Sequence, residues 1–392
     1  MALALTGLRL WDGESEALRP GRATLRIEGG RIVAIGEGAE LERDAERIEL
    51  EGAVALPGLC DAHVHLSLDP ERREAVQDAS GDPLDTMALR ARAMVAAGIT
   101  TARDLGGPEF RALALRDRIA AGELAGPRLL CAGQPLTSPK GHCWFWGGEA
   151  RGADELRAVV RRQVEHGADW IKVMATGGVL TRGTTPAQSQ FDEAELAAAV
   201  AEARAHGRHV AAHCHGTEGI GRAARAGVRT IEHCSFASEE GFGSANDAAV
   251  MADIARSGAW ISPTVNIGFA RFFAEDGSFG KFAQRMNRVY TDLRRAGAPF
   301  VASTDAGIPG IAHHRLPEAL PLFARLAELR PVEALRTATS DAARALGLDA
   351  ETGRLAPGLA ADVLVVDGDP LADLGALLRP VLVVARGGVV RP

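Results

Sequence analysis

Short apolar runs alternate with longer amphipathic stretches through the middle of the chain. The apolar runs have the length and composition of buried strands, and the stretches between them have helical periodicity and are rich in Ala, Leu, Glu and Arg. This alternation is typical of βα units around a parallel sheet, and eight such units favour a closed barrel over an open sheet. We therefore predict a (β/α)₈ barrel over residues 56–347, with strands at 58–64, 100–104, 128–132, 170–175, 209–214, 230–234, 260–265 and 300–304.

The amphipathic stretches between these strands predict the helices of the barrel. A further helix is expected to begin after Pro331, to end near Leu346 and Gly347, and to lead back towards the chain ends. The other helices are expected over residues 85–97, 108–121, 153–166, 192–206, 220–226, 247–257, 282–296 and 317–327.

The two ends of the chain have a different pattern, of short β-like runs separated by turns. Gly29-Gly30 is typical of a hairpin between two of these runs. Similar runs return near the C-terminus, followed by turn residues. We predict that residues 1–55 and 348–392 share one small β-sandwich domain beside the barrel, so the predicted fold class is α/β.

Composition and charge narrow the classes of function. Of the 392 residues, 46% are hydrophobic and 24% are charged, and the net charge is -7. Lys and Arg are interleaved with acids, so a nucleic-acid partner is not expected. There is neither a long apolar run nor a basic segment followed by an apolar one at the N-terminus, so we expect a cytoplasmic protein with no membrane contact. The cysteines form no Cys-x-x-Cys pair and are odd in number, which predicts core thiols rather than disulfides.

Metal-ligand residue types stand at the ends of several predicted strands. The C-terminal ends of parallel strands meet at the mouth of a barrel, which is where barrel enzymes bind substrate. His63 and His65 are two residues apart on strand 1, so both side chains face the same side. His213 and His233 end strands 5 and 6, and Asp305 closes strand 8. Taken alone, each of these residues could be an ordinary core or helix-capping residue, but their joint occurrence predicts a metal site.

Strand 4 carries a lysine, Lys172, inside an apolar run. Burial of an ammonium group is costly unless the group is paired or neutralised. One interpretation is a buried ion pair with a neighbouring acid. The other is a lysine of depressed pKa that captures CO₂, because the resulting carbamate has two oxygens and can bridge two cations less than about 4 Å apart.

Six segments carry a resemblance to a known superfamily. They are 57–65 (PGLCDAHVH), 171–178 (IKVMATGG), 212–216 (AHCHG), 231–233 (IEH), 303–305 (STD) and 355–362 (LAPGLAAD), and the match extends from about residue 5 to residue 388. The chain resembles the amidohydrolase superfamily, in particular its binuclear imidazolonepropionase-like and prolidase-like branch. The resemblance implies two divalent cations, with zinc expected, on His63, His65, His213, His233, Asp305 and a carboxylated, bridging Lys172.

The resemblance also implies a reaction. A hydroxide that bridges the two metals would cleave an amide bond in a small substrate, such as an Xaa-Pro or Xaa-Arg dipeptide or an N-acyl amino acid, with Asp305 as general base and then general acid. His142 and His215 are expected to act as catalytic and substrate-binding residues by hydrogen-bonding the carbonyl or the oxyanion. Arg182, in the loop after strand 4, is expected to receive a carboxylate.

Aromatic residues bear on the shape of the pocket. The run 144–146 (WFW) is interpreted either as a pocket wall or lid or as ordinary packing. Related prolidase-like proteins have a tyrosine after the Pro-Thr of strand 7, where this chain has Val265-Asn266. The only tyrosine of this chain is Tyr290, in a predicted helix.

Three other functions are alternatives to amide hydrolysis at a two-metal site. A deaminase or cyclic-amide hydrolase with a single metal would have no need of a bridging Lys172. A lactonase or organophosphate hydrolase would use the same two-metal site and differ only in pocket shape. A non-catalytic assembly protein would be expected to have lost ligands, and none is lost here. We expect a small-molecule substrate and a homo-oligomer, with no particular number of subunits. The predicted metal ligands would also accept Mn²⁺, Fe²⁺ or Co²⁺.

Overall fold

The structure, a computed structural model, describes residues 2–72 and 82–392. In this part of the chain the strands are β1 Leu3–Leu10, β2 Ala23–Glu28, β3 Arg31–Gly36, β4 Glu46–Glu49, β5 Val54–Pro57, β6 Leu59–Val64, β7 Ile99–Asp104, β8 Arg128–Cys131, β9 Trp170–Met174, β10 His209–Gly216, β11 Thr230–Ala237, β12 Trp260–Ser262, β13 Val363–Val366, β14 Pro380–Ala385 and β15 Gly388–Val390. The helices are α1 Leu84–Ala96, α2 Arg111–Ala120, α3 Gly152–Glu165, α4 Glu193–Ala205, α5 Thr217–Ala226, α6 Ala248–Ser257, α7 Lys281–Arg295, α8 Leu316–Leu326, α9 Pro331–Thr337 and α10 Ser340–Leu346.

The middle of the chain forms the predicted (β/α)₈ barrel. Strands β6, β7 and β8 form one parallel sheet, and β9 to β12 form another in chain order. On one side the segment after β12 joins the two sheets, because the Val301 amide donates to the Ile261 carbonyl at 2.9 Å and the Ala62 amide donates to the Ala302 carbonyl at 3.1 Å. On the other side the segment after β8 pairs with β9. The barrel is therefore closed.

The seventh and eighth barrel strands are less regular than predicted. Strand β12 ends at Ser262, and the predicted strand 300–304 makes one isolated bridge, between Phe300 and Ile261. Thr264 and Asp305 have φ values of 52° and 58°, in the left-handed region. Such residues turn the chain out of the ladder, and they concentrate at functional sites.

The single helix predicted after Pro331 is two helices, α9 and α10, and the prediction was wrong in this respect. The break falls at Thr339, where φ is -135° and ψ is -98°. The Thr339 hydroxyl donates to the Leu335 carbonyl at 2.7 Å, a local bond that competes with continuation of the helix. Helix α10 ends at Gly347 in the left-handed conformation, as the glycine there predicted.

Both ends of the chain share one sheet, as predicted. Its order is β15-β14-β13-β5-β1-β2-β3, and β4 pairs with β1. Strand β1 pairs with β2 and β4 along most of its length and with β5 at its last two residues, and side chains from both halves of the sheet enclose one apolar core. Strand β5 leads through Gly58 directly into β6, so the small sheet and the barrel are joined where the active-site strands begin.

All five cysteines are free and buried, as predicted for core thiols. Over residues 2–72 and 82–392, no helix has the length and apolar character needed to span a membrane.

Candidate active site

A cavity of 340 Å³ opens at the C-terminal ends of the barrel strands. This volume lies in the range that small-molecule sites occupy. Arg182 is exposed and is not among the lining residues, because its loop brings Val179 and Leu180 to the wall instead. The other predicted site residues all line this cavity, and they are His63, His65, His142, Lys172, His213, His215, His233 and Asp305.

Three ligand atoms meet on one side of the cavity, in what we call the first ligand cluster. The Nε2 atoms of His63 and His65 are 3.3 Å apart, and each is 3.4 Å from Oδ1 of Asp305. Ligands about 2.1 Å from a tetrahedral zinc ion lie about 3.4 Å from one another. The spacing of the three atoms therefore fits a common cation.

Hydrogen bonds on the far side of both rings fix which nitrogen carries the proton. Nδ1 of His63 lies 2.9 Å from a carboxylate oxygen of Glu232, and Nδ1 of His65 lies 2.7 Å from the Gly106 carbonyl oxygen. Both partners can only accept, so in a neutral ring Nδ1 carries the hydrogen and Nε2 presents a lone pair. Two lone pairs and the Asp305 carboxylate thus face one another, an arrangement that requires a positive charge between them.

A proton is the alternative occupant of this position. Burial lowers the pKa of His65, but the hydrogen bond and the charge of Asp305 outweigh burial and leave it raised. Burial and the Lys172 charge lower the pKa of His63 to about 4. A cation at this site would therefore compete with a proton on His65.

A second ligand cluster consists of His213, His215 and His233. Their ligand nitrogens lie within 4.8 Å of one another, and the rings of His215 and His233 are stacked with centroids 4.4 Å apart. Nε2 of His213 faces the Gly177 carbonyl oxygen at 3.0 Å, which leaves its Nδ1 as the acceptor. His233 has a φ of 65°, which redirects its side chain at the end of β11. His215, predicted as a substrate contact, therefore also lies at ligand distance.

Lys172 lies on β9 and lines the cavity, with only 1% of its surface exposed. No described residue forms an ion pair with it within 4.0 Å, so the interpretation as a buried ion pair finds no partner. Burial lowers the pKa of its amine, against the opposing charges of Glu232 and Asp305. A neutral amine facing a cavity is the form that reacts with CO₂.

His142 and His215 are uncharged at neutral pH. Burial and then the Lys172 charge lower the pKa of His142 to about 4, and burial and then His142 lower that of His215 to about 3. Nδ1 of His142 lies 2.9 Å from the Thr181 hydroxyl, and Nδ1 of His215 lies 2.8 Å from the Ser235 hydroxyl. Both rings are thus anchored through Nδ1.

Aromatic rings form the remaining walls of the cavity. Trp146 lies on one side, with its ring centroid 5.9 Å from that of His65, so this member of the run 144–146 is a pocket wall, whereas Trp144 is 40% exposed. The rings of Phe272 and Phe282 stack with centroids 4.0 Å apart on the other side. The aromatic wall on that side consists of Phe242, Phe269, Phe272 and Phe282.

Arg271 and Tyr290 are among the lining residues that the sequence did not predict as site residues. Arg271, near the aromatic wall, places its guanidinium 4.7 Å from the Phe272 ring centroid. Tyr290 lines the cavity from α7, and its hydroxyl lies 3.4 Å from the Pro263 carbonyl oxygen, while burial raises its pKa. Arg271 lies in a short 3₁₀ helix, Ile267–Phe272, and no repeating sequence pattern gave the direction of its side chain.

Comparison with known proteins agrees with this fold. The profile of the Amidohydrolase family matches residues 54–390, and the chain belongs to this family. It is 30% identical to an ochratoxinase from Aspergillus niger, over 97% of this chain and 84% of that protein. It is 26% identical to an imidazolonepropionase from Chloroflexus aggregans, over 96% of this chain and 92% of that protein. A solved Xaa-Pro dipeptidase with bound methionine is 27% identical and matches with a TM-score of 0.85 over 100% of both chains.

The resemblance drawn from the sequence motifs is thereby confirmed. The protein is a hydrolytic enzyme that acts on C-N bonds, of a family that is generally metal-dependent. Two groups of side chains bring ligand atoms close enough together to hold a metal ion, and they are His213, His215 and His233, and His63, His233 and Asp305.

Proposed function

We propose that the protein is a binuclear metal-dependent hydrolase that cleaves the amide bond of a dipeptide or an N-acyl amino acid. The observation that carries the metal dependence is the convergence of three acceptors, Nε2 of His63, Nε2 of His65 and Oδ1 of Asp305, at 3.3 to 3.4 Å from one another. Three acceptors at this spacing are mutually repulsive unless a positive charge lies between them.

Each ligand cluster would hold one of the two cations. The first cluster would hold one, and His213 and His233, with His215 in reach, would hold the other. Lys172, as a carbamate, would bridge them and supply the anionic ligand that the second cluster lacks. Zinc is expected because imidazole and carboxylate ligands suit it. When bound, the cations would polarise the scissile carbonyl and lower the pKa of a water molecule between them.

The side chains of this chain would guide the protons and hold the substrate. Asp305 keeps one oxygen on the two imidazoles of the first cluster, which leaves the other to take a proton from the attacking water and deliver it to the leaving nitrogen. His142, which is neutral and lies outside both ligand clusters, would hydrogen-bond the carbonyl oxygen as negative charge develops on it. His215 is also neutral and has Nδ1 anchored at Ser235, so its Nε2 would either make the same hydrogen bond or hold the second cation, and not both.

The lining of the cavity favours a particular kind of substrate. The aromatic wall would bury a large apolar or aromatic group beside the scissile amide. Arg271 and Arg182 are both exposed, but Arg271 lines the same cavity and would therefore receive the carboxylate. We therefore propose substrates such as N-acyl phenylalanine or dipeptides with an apolar residue.

The test is a substrate panel with the zinc-loaded protein. N-acetyl-phenylalanine, N-acetyl-glycine, Xaa-Pro dipeptides, a lactone and a phosphotriester would be compared before and after chelation and zinc restoration. We expect hydrolysis of at least one amide, abolished by chelation, restored by zinc, and faster for the aromatic acyl amino acid than for the glycine one. Hydrolysis of the lactone or the phosphotriester alone, or activity that survives complete metal removal, would contradict the proposal.

A further inference from the structure

One histidine of the site differs from the other five in what holds its ring. Each of the six has one ring nitrogen within 3.0 Å of a protein oxygen, but five of these oxygens are hydroxyl or backbone carbonyl oxygens. Only in His63 is this anchoring oxygen part of a carboxylate, that of Glu232, at 2.9 Å.

Glu232 is fully engaged away from the cavity. It lies on β11 with 0% of its surface exposed and is not among the residues that line the cavity. One of its oxygens faces Nδ1 of His63, and the other accepts from Arg103 at 2.9 Å and from the Thr230 hydroxyl. With both oxygens engaged, Glu232 is not placed to be a metal ligand itself.

Arg103 holds Glu232 from behind. Its guanidinium is also 0% exposed and donates to the Ala62 carbonyl at 2.8 Å and to the Thr230 hydroxyl at 3.0 Å as well as to Glu232. It lies 4.4 Å from the ring centroid of Trp170, on β9. Arg103 thus connects β7 with β6, β9 and β11, and its position is determined by four separate contacts.

We infer that Arg103 and Glu232 are positioning residues that preset the ligand nitrogen of His63. Glu232 holds His63 as the tautomer with hydrogen on Nδ1 and keeps the Nε2 lone pair directed into the first ligand cluster. Arg103 compensates the buried charge of Glu232 and prevents its carboxylate from turning towards the cavity. The role of this nitrogen in metal binding rests on the proposed function. The tautomer itself is a property of the metal-free protein and can be measured without a metal.

The first experiment reads the tautomer directly. In metal-free protein labelled with ¹⁵N-histidine, two-bond ¹⁵N–¹H correlation spectra at neutral pH report which nitrogen carries the hydrogen, and the His63→Gln spectrum assigns the signal. We expect His63 with hydrogen on Nδ1 in the wild type and a mixture of tautomers in Glu232→Gln. Hydrogen on Nε2 in the wild type, or an unchanged spectrum in Glu232→Gln, would overturn the inference.

The second experiment measures metal affinity by titration of zinc against a competing chelator. Glu232→Gln should weaken one of two zinc sites by about 10- to 100-fold and leave the other within about twofold. The matched control is Asp362→Asn, which also removes a buried carboxylate near an arginine, Arg128 at 3.4 Å, but just before strand β13 rather than behind a proposed ligand. The control should change neither site.

Folding and function are separated by further outcomes. If Glu232→Gln does not fold, Arg103→Lys keeps the charge but loses the bonds to Ala62 and Thr230, and we expect it to weaken the same zinc site. Two unchanged zinc affinities with a lowered Tm in these variants would show that the pair is merely structural. A wild type with the expected tautomer but without zinc binding would instead contradict the proposed function.

Discussion

The two ligand clusters differ in where their charge comes from. The first cluster includes the carboxylate of Asp305 and has both of its ring tautomers set by obligate acceptors. The second is made of neutral imidazoles, and two of its rings, His215 and His233, are anchored only by hydroxyl groups, which can donate or accept. A dication in the second cluster therefore needs an anionic ligand from elsewhere in the cavity. Lys172 lines the cavity and can provide that ligand as a carbamate.

The largest effect is expected from Asp305→Asn, which removes the only carboxylate of the two clusters. The amide cannot take the proton of water, so kcat should fall by about 10²- to 10⁴-fold. Steady-state kinetics with the zinc-loaded variant measure this, and the zinc content must be determined alongside. A variant that keeps its zinc and retains more than a tenth of kcat would show that Asp305 is not the proton carrier.

A smaller effect is expected from His215→Ala, which distinguishes a ligand from a substrate contact. As a ligand of the second cluster, His215 should take zinc with it, so zinc per chain falls together with a loss of about 10- to 100-fold in kcat/KM. His142→Ala is the matched control, because His142 also lines the cavity but is in neither ligand group. Unchanged zinc content in His215→Ala would return this residue to the purely substrate-binding role predicted from the sequence.

Arg271→Ala tests the side of the cavity that holds no ligand cluster. Loss of a charge-assisted contact to the substrate carboxylate should raise KM about tenfold with little change in kcat. Arg182→Ala, the comparison variant, should stay within about twofold of the wild type, because Arg182 does not line the cavity. The amide of the same substrate, which lacks the carboxylate, should not distinguish Arg271→Ala from the wild type. Equal effects of both arginine variants would remove Arg271 from its proposed role.

The smallest effect concerns His313, which donates to the backbone carbonyl of His65 at 3.0 Å and so supports the first cluster from outside. Burial lowers the pKa of His313 from 6.5 to about 3. The folded state therefore favours the neutral ring, and this stabilisation is present above pH 6.5 and is lost as the pH falls towards 3. Between pH 7 and pH 5 it should remove about 2 kcal/mol from the free energy of unfolding.

Urea unfolding of the metal-free protein at these two pH values measures the effect. His313→Asn keeps an N-H donor for the His65 carbonyl but has no titrating group, so its loss of stability on acidification should be smaller by that amount. An equal loss in variant and wild type would mean that His313 is not held neutral.

The sequence predicted the barrel and the residues that line the cavity at its mouth because strand periodicity decides which side chains point inwards, and parallel strand ends converge. His63, His213 and Asp305 could be found in this way. A charged residue within a predicted strand, the signal that indicated Lys172, is also present at Arg103 and Glu232, which were not predicted to support the site. The order of charges inside the barrel depends on neighbours from other strands, which no single strand reveals.

The side chains in the segments that follow the barrel strands were predicted poorly. Arg182 and Arg271 are both exposed, but Arg271 and the aromatic wall line the cavity and Arg182 does not. Loop paths depend on tertiary packing rather than on a repeating pattern, so residue type alone did not place these side chains.

Zinc per chain in the wild type and in Lys172→Ala tests the account most directly. Both proteins would be prepared in medium with zinc and bicarbonate and measured by elemental analysis, with Lys281→Ala, an exposed lysine at the start of α7, as the control. We expect about two zinc ions per chain in the wild type and in the control, and about one or fewer in Lys172→Ala. About one zinc ion in all three proteins would contradict the bridging carbamate and favour a mononuclear enzyme.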